Sequence, residues 1–522
     1  MPANEATAAS APRRDAVPKD AAAVVLVREN GGGEAELFWA RRGERLSFQG
    51  GFHAFPGGQR DAEDAHVSVE HCDDDAERAA MIACAARELF EETGVLAARG
   101  ADSLTKGQLA SVLDDSTSGR MTFPALLAHY GLRLDARDFQ FAGRWVTPPF
   151  SPRRFDTWFF MVRCPRKQEP RLLTAEFDAG GWTPARAALD AWLRSEVVAA
   201  PPVMHAVRAL AAGLDDRVGE RFLSVPQARR EQVRRIEFTP GFVCFPLRTP
   251  TKPPATHTNC YLVGHRDFVV IDPGSPYDEE RAALAACVDD FLAEGRALRE
   301  IILTHHHPDH VAGVEHLRAH AGGGVRVAAH RLTADALAGQ VSVDRLVEDG
   351  DVIELAGEPA LRLRAMHTPG HTRGHLSFYE RRTETLITGD NIVGLGSVLI
   401  DPPEGNVRDY LGSLERYRDL LPRVRVLLCG HGAAVANPAT KIDEYIAHRL
   451  GREANILTAV REGGGTPDEI VARVYTDVNP KAHAWAARAV LAHLQKLEED
   501  GLVAREGGGR YVAAAGEQGG RG

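Results

Sequence analysis

Residues 301–310 read Ile-Ile-Leu-Thr-His-His-His-Pro-Asp-His. Ile301-Ile302-Leu303 predicts a short buried strand, and Thr304 to His310 predicts the loop that follows it. Ligands in open α/β structures gather beyond the carboxyl ends of strands, which is where this loop falls. Ten of the 21 histidines lie between His305 and His375, a crowding that structural roles seldom need and metal chemistry does. Working outward, three more candidates close apolar runs: His371 in His-Thr-Pro-Gly-His-Thr (367–372), Asp390 after Leu386-Ile387-Thr388-Gly389, and His431 after Val426-Leu427-Leu428-Cys429-Gly430. Short loops could aim all of them into one pocket. Imidazole suits Zn²⁺, and carboxylates among the histidines allow a second metal position.

The pattern H-x-H-x-D-H, followed at 61, 19 and 41 residues by His371, Asp390 and His431, resembles the metallo-β-lactamase superfamily. That resemblance implies an αββα sandwich with a dinuclear site. His305, His307 and His371 would hold one zinc; Asp309, His310 and His431 would hold a second metal, zinc, iron or manganese; Asp390 would bridge both. Asp309 would also take part in catalysis. Asp272 in Ile-Asp-Pro-Gly matches an early aspartate that orients a ligand, with Thr304 beside the first ligand. The remaining residues His306, His316, His320 and His330 read as surface histidines. His367 and His375, beside the ligand loop, read as orienting or packing groups.

A second chemistry lies upstream. Ala86-Arg87-Glu88-Leu89-Phe90-Glu91-Glu92-Thr93-Gly94-Val95 has a helical period with a glycine where the helix should stop. Glu88, Glu91 and Glu92 fall at i, i+3 and i+4, so their carboxylates share one face. A bound Mg²⁺ would relieve their repulsion and bridge them to substrate phosphates. The loop Phe55-Pro56-Gly57-Gly58-Gln59-Arg60-Asp61 precedes it, its Gly57-Gly58 pair allowing close backbone approach to a ligand. Together these segments resemble the Nudix hydrolase signature, with Asp64 in place of the first glutamate and 15 extra residues before Arg87. The long insertion, Gly51 to Gly58 and Arg153 to Thr157 are similar to the coenzyme A diphosphatase branch. The resemblance implies an α/β/α fold in which Glu91 and Glu92 hold Mg²⁺ or Mn²⁺, Glu88 binds metal or activates water, and Arg87 orients the carboxylates.

The 522 residues are enough for several domains. Turn-forming stretches suggest a disordered tail at 1–18, a Nudix unit at 19–212, a linker helix at 213–239, a metallo-β-lactamase unit at 240–437, a winged helix at 438–515 and a loose tail at 516–522. Residues 240–515, with His448-Arg449-x-x-Arg452-Glu453 after the last ligand and a winged helix, resemble the subgroup holding a β-lactamase-like endoribonuclease; glyoxalase II is a second comparison. These imply RNA and thioester substrates respectively. A net charge of −10 is a poor prior for a nucleic-acid binder, and residues 439–522 carry 11 basic and 12 acidic side chains. Small nucleotide or thioester substrates are therefore expected over RNA, and the winged helix reads as a homodimerisation or lid module. Seven scattered cysteines without a C-x-x-C pair suit a reducing compartment. With no stretch apolar enough for a membrane span, the expected location is the cytoplasm. The whole reads as a bifunctional α/β hydrolase, with an RNA-processing zinc endoribonuclease bearing an accessory Nudix unit as the alternative.

Overall fold

The computed structural model describes residues 16–514 except 47–48, 73–74, 152, 395 and 477–482, so residues 1–15 of the expected N-terminal tail and all of the C-terminal tail lie outside the described residues. The first unit is built on the strand Lys19–Glu29, which pairs in parallel with Phe155–Arg163 and antiparallel with Ala35–Arg42 in a seven-stranded sheet. Alternate side chains of that strand go to opposite faces. Ala22, Val24 and Leu26 pack against Ala86, Leu89 and Phe90 of the helix Ala76–Thr93. Ala23, Val25 and Val27 belong instead to the cluster containing Ala188, Trp192 and Val207 of the helices Ala185–Leu193 and Pro201–Ala211. The unit is thus helix, sheet, helix.

The second unit is a four-layer αββα stack. Its first sheet runs in the order Ile236–Thr239, Phe242–Arg248, His257–Gly264, Asp267–Ile271, Ala297–Ile302, Arg326–Ala329, Arg345–Leu346. The second orders Val352–Leu355, Leu361–His367, Leu376–Glu380, Thr385–Gly389 and Val426–Cys429. Strand Asp267–Ile271 is buried on both faces: Phe268 and Val270 face the helix Asp278–Ala293, while Val269 and Ile271 enter the space between the sheets. Helices Val407–Arg418 and Pro438–Gly463 cover the second sheet. The parallel strands Asp267–Ile271 and Ala297–Ile302 both point their carboxyl ends at the same edge of the sandwich.

The C-terminal module has, among the described residues, the helices Pro438–Gly463, Pro467–Val474 and His483–Glu499 and a two-stranded wing of Val503–Arg505 and Tyr511–Ala513. Two boundaries differ from expectation. Residues 213–239 do not form a linker helix. A five-residue helix Val218–Phe222 ends before Val225, which the following Pro226 holds extended, and Ile236–Thr239 is already the first strand of the central sheet. Nor does the third unit begin at 438. The helix Pro438–Gly463 is shared: Ile442, Tyr445 and Ile446 pack on the central unit, and Ile456, Ala459 and Val460 form the core of the C-terminal module. No disulfide joins the seven cysteines, all of them described residues. Among the described residues no helix is long and apolar enough to cross a membrane.

Trp192 is the keystone between the first two units. It is 1% exposed, and its indole N–H donates to the Phe238 carbonyl at 3.1 Å. Trp192→Ala should destabilise the protein by about 3–5 kcal/mol. Denaturant unfolding followed by circular dichroism checks this; a midpoint equal to wild type would contradict it.

Candidate functional site

The two sheets bring their ligand-bearing loops to one edge. Thr304 to His310 leave the strand Ala297–Ile302, and His371 lies between Leu361–His367 and Leu376–Glu380. Asp390 directly follows Thr385–Gly389, and His431 follows Val426–Cys429 after a single glycine. His305, His307, His371 and Asp390 place ligand atoms within 4.8 Å of one another, as do Asp309, His310 and His431. Asp390 reaches both groups: Oδ2 lies 3.6 Å from His371 Nε2 and 3.3 Å from His431 Nε2, and Oδ1 lies 3.3 Å from His310 Nε2. All seven expected positions converge.

Ring orientation follows from what each outer nitrogen meets. Asp272, at the end of Asp267–Ile271, accepts from the Thr304 N–H at 2.8 Å and the Thr304 hydroxyl at 2.6 Å, and pairs with His310 Nδ1 at 2.8 Å. Having donated its proton to Asp272, the Thr304 oxygen accepts from His305 Nδ1 at 2.9 Å. His371 Nδ1 faces the Leu399 carbonyl at 3.0 Å and His431 Nδ1 the His257 carbonyl at 2.8 Å. Carbonyls only accept, so these contacts place the protons on Nδ1 and leave Nε2 lone pairs facing inward.

That inward convergence fits metal ions. His305 Nε2 and His371 Nε2 stand 3.0 and 2.9 Å from His307 Nδ1, which has at most one proton to offer the two of them. His310 Nε2 and Asp390 Oδ1 are buried facing each other at 3.3 Å, an ion pair without hydrogen-bond alignment. Burial drives the His307 pKa down to about 4 and holds His305 and His371 well below the usual imidazole range. These rings are neutral ligands at neutral pH. Burial also opposes charge on His310, but Asp390, Asp272 and Asp309 outweigh it and hold its pKa up. Asp390 stays ionised because His431 and His310 overcome the cost of its burial. A cation would satisfy all these atoms together.

Residues not singled out in the sequence complete the support. Asn259 Nδ2 donates to the carbonyls of Cys429 and Gly432 at 2.9 and 2.8 Å, and Tyr261 donates to Cys429 at 2.6 Å, so the first sheet grips the loop carrying His431. A Cβ at Gly430 would collide with the Asp390 carboxylate, which is why glycine stands there. His375 is fully buried and accepts the Asp390 N–H at Nε2, 3.2 Å away. His316 and His320 are exposed and His306 is half-buried, but His330 is not a surface histidine. It is 5% exposed and stacks on His367 at 4.2 Å.

In the first unit, the helix Ala76–Thr93 ends at Gly94, φ 72°, as expected. Arg87 makes a two-pronged pair with Asp64, both contacts 2.9 Å, and reaches Glu88 at 2.8 Å and Glu91 at 3.2 Å. Glu92 turns to the loop instead, accepting the Gly57 N–H at 2.8 Å. The three glutamates therefore do not close on one point as the histidines do, because a guanidinium stands between two of them. A Cβ at Gly58 would lie 2.5 Å from the Glu88 carboxylate, so only glycine permits this approach. Burial raises Glu88 to about 7 and Glu92 to about 8. Beside them opens a cavity of about 530 Å³, walled by Phe52, Phe55 and Trp145 and closed by Ile236 and Phe238 of the central unit.

The metallo-β-lactamase superfamily profile matches residues 253–431, and the β-lactamase-associated winged helix profile matches residues 466–510. A beta-lactamase-like protein 2 homolog of Drosophila melanogaster is 32% identical over 263 residues, covering 47% of this chain and 84% of its own. An atrochrysone carboxyl ACP thioesterase of Passalora fulva is 27% identical over 312 residues, 57% of this chain and 86% of its own. Among solved structures, a NUDIX hydrolase from Alicyclobacillus acidocaldarius aligns at 33% identity with a TM-score of 0.34, covering 39% of this chain and 95% of its own. A metallo-beta-lactamase family protein from Thermus thermophilus aligns at 26% identity with a TM-score of 0.44, covering 52% and 99%. On its profile matches and the Drosophila relative, the chain belongs to the metallo-β-lactamase superfamily, as one of its hydrolases carrying the associated winged helix domain.

Proposed function

We propose that the chain is a bifunctional metal-dependent hydrolase whose principal site, a dinuclear zinc centre, cleaves a thioester or ester. The observation that carries this reading is the meeting of five imidazoles and Asp309 around the buried carboxylate of Asp390. His305, His307, His371 and Asp390 would hold one zinc; Asp309, His310, His431 and Asp390 would hold the second metal, zinc or in its place iron or manganese. Bound there, the two ions would supply Lewis acidity toward a carbonyl oxygen and toward water. The chain's own groups set the geometry. Thr304 and Asp272 fix the first-site and second-site imidazoles, and His375 fixes the Asp390 backbone. Asp309, half-buried and 3.4 Å from the Thr258 hydroxyl, would take a proton from attacking water. The Passalora fulva relative, named as a thioesterase, supports the thioester class over RNA.

The C-terminal module supports the same preference. Its long helix His483–Glu499 turns Arg488 to Asp401 at 2.5 Å and Lys496 to Glu453 at 2.8 Å, so these cations are already paired. We read the module as a lid or a homodimer contact.

The first unit is proposed as a Nudix pyrophosphohydrolase acting on a nucleoside diphosphate derivative such as coenzyme A or its thioesters. Arg87 is held by Asp64 and in turn holds Glu88 and Glu91, while Gly57 and Gly58 bring the substrate loop onto Glu92 and Glu88. Mg²⁺ or Mn²⁺ held by Glu88, Glu91 and Glu92 would have to replace the Arg87 contacts to Glu88 and Glu91, and would offset pyrophosphate charge.

Assays of the purified chain with acyl-coenzyme A, coenzyme A, ADP-ribose and single-stranded RNA separate these readings. His307→Ala should lose zinc and thioester hydrolysis and retain pyrophosphate cleavage; Glu91→Gln should do the reverse. Loss of both activities in one folded variant would contradict independent sites, and RNA cleavage lost only in His307→Ala would favour the endoribonuclease. Asp272→Asn should weaken zinc binding by about 10–100-fold, read by competition with a chromophoric chelator.

A further inference from the structure

Between the first and central units lies a second cavity, of about 1190 Å³. Four arginines line it, Arg154, Arg230, Arg234 and Arg248, against two carboxylates, Asp156 and Glu280. Asp156 is shared further: Arg230 reaches it at 3.0 Å, but Arg144 already takes both of its oxygens at 2.8 and 3.0 Å. Arg154 donates to the carbonyls of Thr147 and Ala16, each at 2.9 Å, so no carboxylate among the described residues cancels its charge. Arg234 pairs with Glu280 at 3.2 Å, and Arg248 lies over the Tyr277 ring at 4.7 Å while pairing with Glu279. A positive cavity on a chain of net charge −10 is a local reversal of sign, and it concentrates anions. Guanidinium forks match phosphate oxygens in pairs.

Its position gives the charge a purpose. The cavity reaches Thr251, whose hydroxyl lies 3.5 Å from the metal-facing Nε2 of His431, and His257, whose carbonyl orients that ring. At its other end Val146, Thr147 and Pro148 are a wall common to it and to the apolar cavity beside Glu88. A ligand whose scissile bond lies at the metal centre would extend its remainder into the arginines.

We propose that this cavity binds the phosphorylated half of the metal centre's substrate, a thioester or ester whose leaving group carries a phosphate or diphosphate. The proposal rests on the hydrolase reading of that centre for the word substrate, and on the cavity alone for phosphate binding. ADP, without added Mg²⁺, is the probe for the second. Titrated calorimetrically into the full, zinc-loaded chain, it should bind saturably and more weakly as salt rises. Arg154→Gln with Arg230→Gln should raise its Kd at least fivefold at unchanged zinc content and melting temperature, and exchanging Arg230→Gln for Arg230→Lys in that variant should recover only part of the affinity, since an ammonium has no fork. Should the double variant fail to fold, Arg248→Gln alone is held to the same fivefold criterion. No saturable binding at millimolar ADP, or a smaller rise in Kd, overturns the proposal. For the first part, the double variant should lower kcat/KM at least fivefold for S-acetyl phosphopantetheine and leave S-acetylpantetheine unchanged; an equal loss on both overturns it. If wild type hydrolyses neither, the thioester reading fails while the ADP titration still decides the cavity.

Discussion

The candidate metal site is anchored at the carboxylate of Asp272. Its backbone lies at φ 54°, a left-handed conformation uncommon outside glycine and tolerated best by Asn and Asp. The reason it is held there is visible in its three contacts. One oxygen takes the Thr304 N–H; the other takes the Thr304 hydroxyl and His310 Nδ1. Buried at 2% exposure, the carboxylate has no water to fall back on, so the three groups must come to it. It thereby ties the ends of two parallel strands together and fixes one ligand of each proposed metal site, His310 directly and His305 through Thr304.

The second constraint is electrostatic. Five imidazoles and two carboxylates packed at an edge between sheets would be poor ground for a stable core. The rings relieve this by staying neutral where burial dominates, at His305, His307 and His371, and by leaning on carboxylates at His310 and His431. What remains is three ring nitrogens gathered about 3 Å apart around His307 Nδ1, whose single proton satisfies one neighbour fully and leaves the other wanting. The strain is local, and it is shaped like a coordination site. Stability and chemistry are therefore coupled at this edge: the groups that cost most to bury are those a cation would use.

The ligands were legible in the chain because each stands at the end of an apolar run, so that strand and ligand are read in one local window. Contacts made across the sandwich carry no such signal. Asn259 sits in the strand His257–Gly264 and looks like an interruption of it; only the fold shows it holding residues 429–432, some 170 positions away. His375 and His330 look alike in sequence, and their difference from exposed His316 is set by what covers them. The expected linker helix failed for a related reason. A charged stretch has a helical composition whether or not Phe222, Ala228 and Ile236 are drawn into a core between two units. The shared helix Pro438–Gly463 has an unbroken period throughout, so its change of partner near the middle leaves no mark on the pattern. In the first unit, Arg87, Glu88 and Glu91 were legible as one helical face, but not that Asp64, beyond a long insertion, would fill the guanidinium's remaining edge.

Joining of the first two units is core-like. One apolar cluster runs from Val25 and Trp39 through Trp192 and Phe238 to Ile302 and Phe378 between the central sheets. Domains linked by polar contacts move by default; a continuous hydrophobic seam removes that freedom. The seam also decides what each unit is on its own. Phe238 and Ile236, which close the cavity beside Glu88, belong to the first strand of the central sheet, so the proposed Nudix pocket is finished by residues of its neighbour. The Val146–Pro148 wall is held from both sides in the same way. The two proposed sites are thus built on one piece of packing, and a substitution in that seam should act on both even though neither site's proposed ligands touch the other's.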